Sequence, residues 1–110
     1  MKTFYTSVIE LRQEFDDAIE THPYECGWAD EALFFVEVHD AEPGETVSLR
    51  VQLSPDGIRW LDEGTEIRTG SSAFARVTRF GGFLRLAGNA IAADGGPARV
   101  TVSVRLALKG

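Results

Sequence analysis

The sequence predicts an all-β protein, an antiparallel β-sandwich with jelly-roll-like connections and about seven or eight strands. Three observations lead to this fold class. In residues 46–53, apolar and polar side chains alternate strictly, which is the pattern of a strand buried on one face. Residues 100–109 repeat the alternation over five inward positions, the length of a full-width strand. Between the apolar segments, turns rich in glycine, proline and aspartate recur at short intervals, as in sandwiches and small barrels.

The first thirty residues fit two patterns. Apolar residues between positions 8 and 19 recur at helical spacing, and Ser7-x-x-Glu10 resembles a helix capping box. The apolar pairs Phe4-Tyr5 and Val8-Ile9 instead suit a strand, and Asp16-Asp17 disfavours a helix interior. We expect extended structure with a helical turn near residues 8–15. Residues 1–30 then form an N-terminal arm of a single domain that spans residues 1–110.

From residue 31 onward, strands and turns alternate along the chain. The first strand begins with an apolar run, which indicates burial on both faces. Turns are expected wherever glycine, proline and acidic residues gather. These turns occupy residues 40–45, 54–57, 62–64, 70–72, 81–82 and 92–96. The predicted strands occupy residues 32–39, 46–53, 58–61, 65–69, 74–80, 83–91 and 100–109.

The plainest local signal is the turn Ser54-Pro55-Asp56-Gly57, which follows the alternating segment 46–53. Proline presets φ at the second position of a turn, Asp56 tolerates the third, and Gly57 accepts the positive φ that reverses the chain. Ile58–Leu61 is expected to return as the second strand of a hairpin. Trp60 is expected to pack across this strand pair as a structural residue.

The composition is that of one soluble globular domain. The chain has 110 residues, of which 44% are hydrophobic and 25% are charged. No apolar run approaches the ~20 residues of a membrane span, and the N-terminal residues lack the apolar core of a signal peptide. We therefore expect no membrane association and a location in the cytoplasm or within a virion or particle. The single cysteine, Cys26, excludes an internal disulfide and fits a reducing compartment.

Charge is distributed unevenly along the chain. The net charge of −6 argues against nucleic-acid binding, which needs a basic face. Residues 1–66 contain sixteen acidic and four basic residues, whereas residues 67–110 contain one acidic and seven basic residues. Acidic strands can pair with basic strands inside one fold. Alternatively, an acidic face of one copy can meet a basic face of another. The internal pairing is favoured because it requires no partner.

No constellation of catalytic or metal-binding residues is evident in the sequence. His22 and Cys26 have a spacing that a metal could use, but a structural zinc site needs four ligands, so a loop histidine and a buried thiol are the favoured interpretation. The acidic turns at residues 40–42 and 62–63 lack the spacing of a calcium loop. We expect no catalytic residue, no cofactor and no metal, and hence a protein that is not an enzyme.

Surface aromatic and basic residues are the candidates for partner binding. Phe80 and Phe83 flank Gly81-Gly82 and indicate an apolar edge that a protein partner or a second copy covers. The candidate interaction residues are Trp28, Phe80, Phe83, Arg76, Arg79 and Arg85. In an alternative interpretation, exposed aromatic side chains stack on sugar rings. The residues available for such stacking are Tyr5, Tyr24, Trp28 and Trp60.

The segment Ser54-Pro55-Asp56-Gly57-Ile58-Arg59-Trp60 resembles the S-x-D-G-x-x-W hairpin of small β-sandwich domains that are common among phage and prophage structural proteins. Phe83–Leu86 and Arg99–Val102 are similar to later strands of that pattern, so the resemblance covers residues 31–108. It implies a non-enzymatic structural or interaction module, a virion-type accessory or shell-assembly protein that acts by charge and shape complementarity. Carbohydrate-binding sandwiches use related hairpins, and a carbohydrate-binding module is the alternative function.

Overall fold

The structure, a computed structural model, describes residues 4–78 and 80–110. Within these residues, every regular secondary-structure element is a β-strand. Their alternating apolar sequences, interrupted by turn residues, favour extended backbone throughout. The nine strands are β1 (Phe4–Asp16), β2 (Ala18–Glu20), β3 (Tyr24–Glu25), β4 (Glu31–His39), β5 (Thr46–Ser54), β6 (Leu61–Thr69), β7 (Ser72–Val77), β8 (Phe83–Ile91) and β9 (Arg99–Lys109). The all-β class is confirmed.

The strands form two antiparallel sheets. Sheet A has the order β1-β9-β4-β7, and sheet B has the order β2-β8-β5-β6. The short strand β3 also pairs with β8, so β2 and β3 together take one position at the edge of sheet B. With that position counted once, eight strand positions remain, and their order is the pair of interlocked Greek keys of a jelly roll. The predicted sandwich is confirmed.

The core lies between the sheets and is built by alternation on the four central strands. Every second residue of β4 and β9 points towards sheet B, and every second residue of β5 and β8 points back. Phe34, Leu49, Leu86 and Leu106 are among the fully buried side chains of this layer. The five inward positions predicted on β9 are all buried: Val100, Val102, Val104, Leu106 and Leu108.

The predicted helical turn near residues 8–15 is wrong, because β1 is a continuous edge strand of sheet A. It pairs with β9 from Phe4 opposite Lys109 to Asp16 opposite Arg99. Two register shifts interrupt the pairing, and Arg12 there has a φ of 48°. The Arg12 N–H donates to Ser103 Oγ at 2.9 Å, which satisfies a backbone donor freed by the bulge. Pairing with β9 therefore overrides the helical spacing of this segment.

The hairpin exists, but its second strand begins later than predicted. Residues 58–60 belong to the loop, β6 starts at Leu61, and residues 62–64, predicted as a turn, lie inside β6. The register against β5 shifts between Arg50 and Gln52, and Gly64 takes a φ of +115° in this bulge. The bulge absorbs the residues that the sequence pattern marks as a break. Similarly, β7 starts at Ser72 and ends at Val77, short of the predicted end at Phe80.

Ser54 and Asp56 hold the loop of this hairpin together. The buried Ser54 Oγ accepts the N–H groups of Gly57 at 2.8 Å and Asp56 at 3.3 Å. Asp56 Oδ1 accepts those of Ile58 at 2.8 Å and Arg59 at 2.9 Å. Gly57 has a φ of +79°, as the turn chemistry predicts. The donated bonds, first from Arg59 and then from Ile58, hold the pKa of the Asp56 carboxyl below its usual range.

Replacing Asp56 with asparagine is expected to destabilise the fold in a pH-dependent way. Because the folded pKa of Asp56 is lowered, its charge stabilises the fold above the unfolded pKa of about 4, and that contribution disappears as pH falls through the folded value. Urea midpoints of wild type and Asp56→Asn should therefore differ at pH 7 and converge near pH 2. Asp30→Asn, which removes another exposed carboxylate, is the control. A pH-independent gap for Asp56→Asn would contradict this account.

Candidate interaction surface

The outer face of sheet B is covered by polar side chains that bind one another. Gln52 Nε2 donates to Asp62 Oδ1 at 2.9 Å, and Arg85 Nε donates to Gln52 Oε1 at 2.8 Å. The Arg85 guanidinium also stacks over the Trp60 ring, 4.3 Å from its centroid. Trp60 is half-buried in this arrangement. Gln52, Asp62 and Arg85 thus already have partners within this face.

The outer face of sheet A carries exposed side chains in one row across all four strands, three of them apolar and one, on β9, basic. Phe74 on β7 lies opposite Phe35 on β4, Phe35 lies opposite Arg105 on β9, and Arg105 lies opposite Val8 on β1. The exposed fractions are 60% for Phe74, 43% for Phe35 and 53% for Val8. The two phenylalanine ring centroids are 6.1 Å apart. We call Phe74, Phe35, Arg105 and Val8 the cross-strand row.

The apolar character of this face continues beyond the row. Leu33 and Ala107, opposite each other on β4 and β9, point outward and are nevertheless buried by their neighbours. At the end of β1, Phe4 is exposed, and the Lys109 ammonium lies 5.7 Å from the centroid of its ring. Apolar groups therefore extend along the sheet as well as across it.

A shallow depression of about 330 Å³ opens in the cross-strand row. Phe35, Phe74 and Arg105 line it together with Glu37 and Ser72 from the neighbouring positions of β4 and β7. Its floor is the backbone of the β4–β7 pair, because these two strands are hydrogen-bonded beneath the aromatic rings. The depression thus has apolar walls and one charge of each sign at its rim.

The two charges at the rim have different surroundings. Glu37 is half-exposed, and its Oε1 lies 3.3 Å from His39 Nε2, which is itself 2.8 Å from Ser103 Oγ. For Arg105, residues 4–78 and 80–110 supply no acidic partner. The guanidinium of Arg105 is therefore available to a carboxylate from outside the described chain.

Three of the predicted interaction residues gather at one end of the sandwich, away from the cross-strand row. Trp28 is 45% exposed in the loop between β3 and β4, whereas Phe80 and Phe83 are half-buried. The loops that carry them are joined by a hydrogen bond from Cys26 N–H to the Gly82 carbonyl at 2.7 Å. Phe83 also packs against Gly57 of the hairpin loop. These three aromatic residues form a separate end surface.

The predicted basic residues lie on opposite faces and are bound within the chain. Arg76 on sheet A contacts Glu31 at 2.6 Å, and Arg85 on sheet B lies 3.8 Å from Glu20. Arg99 contacts Asp16 at 3.2 Å, and this contact raises the pKa of Arg99. Acidic residues from the first part of the chain thus pair internally with basic residues from the last part. Arg79, also predicted, lies outside the described residues.

Sequence reasoning did not select Phe35, Phe74 and Val8. A signal was present in the alternation of β4. Phe35 points to the same face as Leu33 and Glu37, whereas Phe34 and Val36 point inward. An apolar residue at an outward position is the mark of a covered or partner-binding face. Recognising the row further required the pairing of four strands that are distant in sequence.

His22 and Cys26 have structural surroundings. Glu10 is buried, and its Oε2 accepts the His22 backbone N–H at 3.0 Å and lies 2.8 Å from the ring Nδ1. Cys26 is fully buried, and its Sγ donates to the Tyr24 carbonyl. Burial, followed by the nearby charge of Glu25, raises the pKa of the Cys26 thiol to about 12. In the described part of the chain, no cluster of three metal-ligating side chains is found.

Cys26 is expected to resist thiol reagents in the folded protein. A pKa of about 12 leaves almost no thiolate at pH 8, and the sulfur is buried. Its reaction with Ellman's reagent should be at least 100-fold slower than that of an exposed thiol and should accelerate in urea. Cys26→Ala/Ser71→Cys, with its thiol in the exposed turn before β7, is the matched control. Equal rates in native buffer would contradict the buried assignment.

The described residues contain no helix long and apolar enough to cross a membrane. No protein-family model matches the chain, and no curated protein matches it. The chemistry of its two outer faces is therefore the basis for assigning a function.

Proposed function

We propose that the chain is a non-enzymatic structural module that assembles with further copies of itself, as a virion-type accessory or shell component does. The observation that carries this proposal is the difference between the two outer faces. Sheet B covers itself with mutually bonded polar groups, whereas sheet A leaves the cross-strand row exposed. Phe35 and Phe74 are adjacent and have Glu37 and Arg105 at their rim, and an exposed apolar patch with a polar rim marks an interaction surface.

The area of this face limits how tightly two copies can associate through it. Its central strand has nine residues. Four strands ~4.8 Å apart, at ~3.3 Å per residue, give a face of roughly 19 by 30 Å. Two such faces together offer at most on the order of 1,200 Å², the lower bound of specific interfaces. An assembly component held by this face alone is therefore expected to associate reversibly.

A second copy is the partner that this face fits, because the face is complementary to itself. Beside its aromatic rings it carries the exposed Glu37 and also Arg105, for which the described residues supply no acidic partner. A purely acidic or purely basic partner would satisfy only one of these charges, whereas a second copy supplies both.

The β1 edge of sheet A is less suited to association than the face of the sheet. The edge strand β1 has two register shifts and the left-handed Arg12, which distort the row of backbone groups that another strand would have to match. Bulges of this kind are a common protection of sheet edges. Face-to-face contact is therefore favoured over extension of the sheet at β1.

The polar groups beside the cross-strand row support a non-catalytic function. Ser103 is buried, and its Oγ already accepts the Arg12 N–H. Glu37 contacts the same His39 nitrogen as Ser103, so the carboxylate does not orient the other ring nitrogen as a catalytic triad requires. This network supports the sheet surface, and it presents no exposed nucleophile.

Self-association is tested by sedimentation velocity over a concentration series at low salt. We expect wild type to reach a mass above the 12.1 kDa of one chain. Phe74→Ser should raise the dissociation constant about tenfold or more, since losing a buried phenylalanine costs roughly 1.5–3 kcal/mol. Ile58→Ser, in the hairpin loop, removes an exposed apolar side chain elsewhere and should have no effect. A wild type that stays monomeric at millimolar concentration would rule out the proposal.

We propose carbohydrate binding as the second candidate function, because Trp28 is the more exposed of the two tryptophans. Its ring lies at the end surface. Gly110 packs against this ring so closely that a Cβ added to Gly110 would lie 3.0 Å from Cε3 of Trp28. Trp60 is a weaker candidate because Arg85 already covers its ring. A sugar ring would therefore stack on the open side of Trp28.

Fluorescence titration separates this candidate from the first. Trp60→Phe leaves Trp28 as the single tryptophan. If the end surface binds sugars, cello-, chito- or malto-oligosaccharides at millimolar concentration should shift the emission of this variant, because stacking excludes water from the indole. Trp28→Phe should abolish the shift observed in wild type. An unchanged emission spectrum with all three series would dismiss sugar binding at Trp28.

A further inference from the structure

We infer that two copies meet through the outer faces of sheet A about a two-fold axis that places Arg105 of each copy against Glu37 of the other. This inference rests on the proposed self-association and specifies which residues select the partner. The cross-strand row supplies the apolar contact, and the two charges determine its orientation.

The register of β4 and β9 determines where the two charges lie. Phe35 pairs with Arg105, and Glu37 pairs with Ser103, so Glu37 and Arg105 are diagonal neighbours on adjacent strands. Diagonal positions on one face are roughly 7–8 Å apart. Both side chains border the depression, yet no ion pair forms between them within the chain. Arg105 has no acidic partner among the described residues, and Glu37 contacts only His39 through Oε1, so both charges can still meet their opposites in another molecule.

Two-fold symmetry converts this arrangement into two equivalent ion pairs. When two identical faces meet, a two-fold axis that lies in the contact plane midway between Glu37 and Arg105 exchanges these positions. Arg105 of one copy then faces Glu37 of the other, and the reciprocal pair forms at the same time. One operation satisfies all four charges.

The same axis brings the aromatic rings together. Because Phe35 lies beside both Arg105 and Phe74 in the row, the exchange places Phe35 and Phe74 of one copy over those of the other, at the depression. The strands of the two copies then cross steeply, which is closer to the orthogonal class of sheet packing than to the aligned class. Apolar contact and charge pairing are thus compatible in one orientation.

The charges act as the selective element of this contact. Any orientation that covers the aromatic rings without pairing Arg105 would bury a guanidinium with no carboxylate, which is strongly unfavourable. Opposed like charges would likewise disfavour incorrect registers. Arg105 and Glu37 therefore determine specificity, and Phe35 and Phe74 supply the contact area.

Complementation between two charge-reversal variants tests the pairing. Arg105→Glu places two acidic residues at the rim, and Glu37→Arg places two basic residues there. Each variant alone should associate at least tenfold more weakly than wild type, because the axis now opposes like charges. An equimolar mixture should form a heterodimer within about threefold of the wild-type dissociation constant, since both cross-copy pairs are again acid to base. Sedimentation velocity gives the masses, and circular dichroism confirms that each variant is folded.

Arg50 and Asp62 provide the matched control on the outer face of sheet B, where they lie 3.4 Å apart. Arg50→Glu, Asp62→Arg and their mixture should all associate like wild type. If wild type associates and Phe74→Ser weakens this association, but the mixture of Arg105→Glu and Glu37→Arg does not restore it, the pairing is overturned. The proposed function then still stands. A monomeric wild type would remove the proposed function and the pairing together.

Discussion

Burial of alternate side chains from β4 and β9 against those from β5 and β8 holds the two sheets together, and every other feature depends on it. Residues such as Phe34 and Leu106 fill the space between the sheets because period-two alternation points them inward. The intervening residues do not take part in this packing between the sheets. They can be polar, as Gln52 and Arg85 are on sheet B, or apolar, as Phe35 and Phe74 are on sheet A. The asymmetry of the outer faces is therefore a property beyond what folding requires.

The strand order also explains the uneven distribution of charge along the chain. The jelly roll places the N-terminal strand β1 beside the C-terminal β9, and β2 beside β8. Acidic residues early in the sequence thereby become neighbours of basic residues late in it, as in the pair of Asp16 with Arg99. Three of the late arginines are used in this way within the molecule. The uneven distribution of charge along the chain is thus partly balanced inside one fold.

The exposed surface around the cross-strand row on sheet A is small and is held in place by neighbouring hydrogen bonds. The bulge in β1 directs the Arg12 N–H to Ser103, and Ser103 in turn contacts His39, so the surface beside the cross-strand row is held by hydrogen bonds. A surface held in this way loses little side-chain freedom when a partner covers it. Arg105 and Glu37 lie at the rim of the depression. The aromatic rings project from β4 and β7, whose inward side chains are packed in the core.

The sequence by itself determined the fold class, the inward positions of β5 and β9, and the turn chemistry around Gly57, because alternation and turn preferences are local properties of the chain. Only the tertiary structure decided that β1 is extended, since pairing with β9 outweighs helical spacing there. Likewise, it decided that Phe35 and Phe74 remain exposed while the equally outward Leu33 is covered. Exposure depends on which strands lie next to one another, and in this fold the neighbours are far apart in sequence.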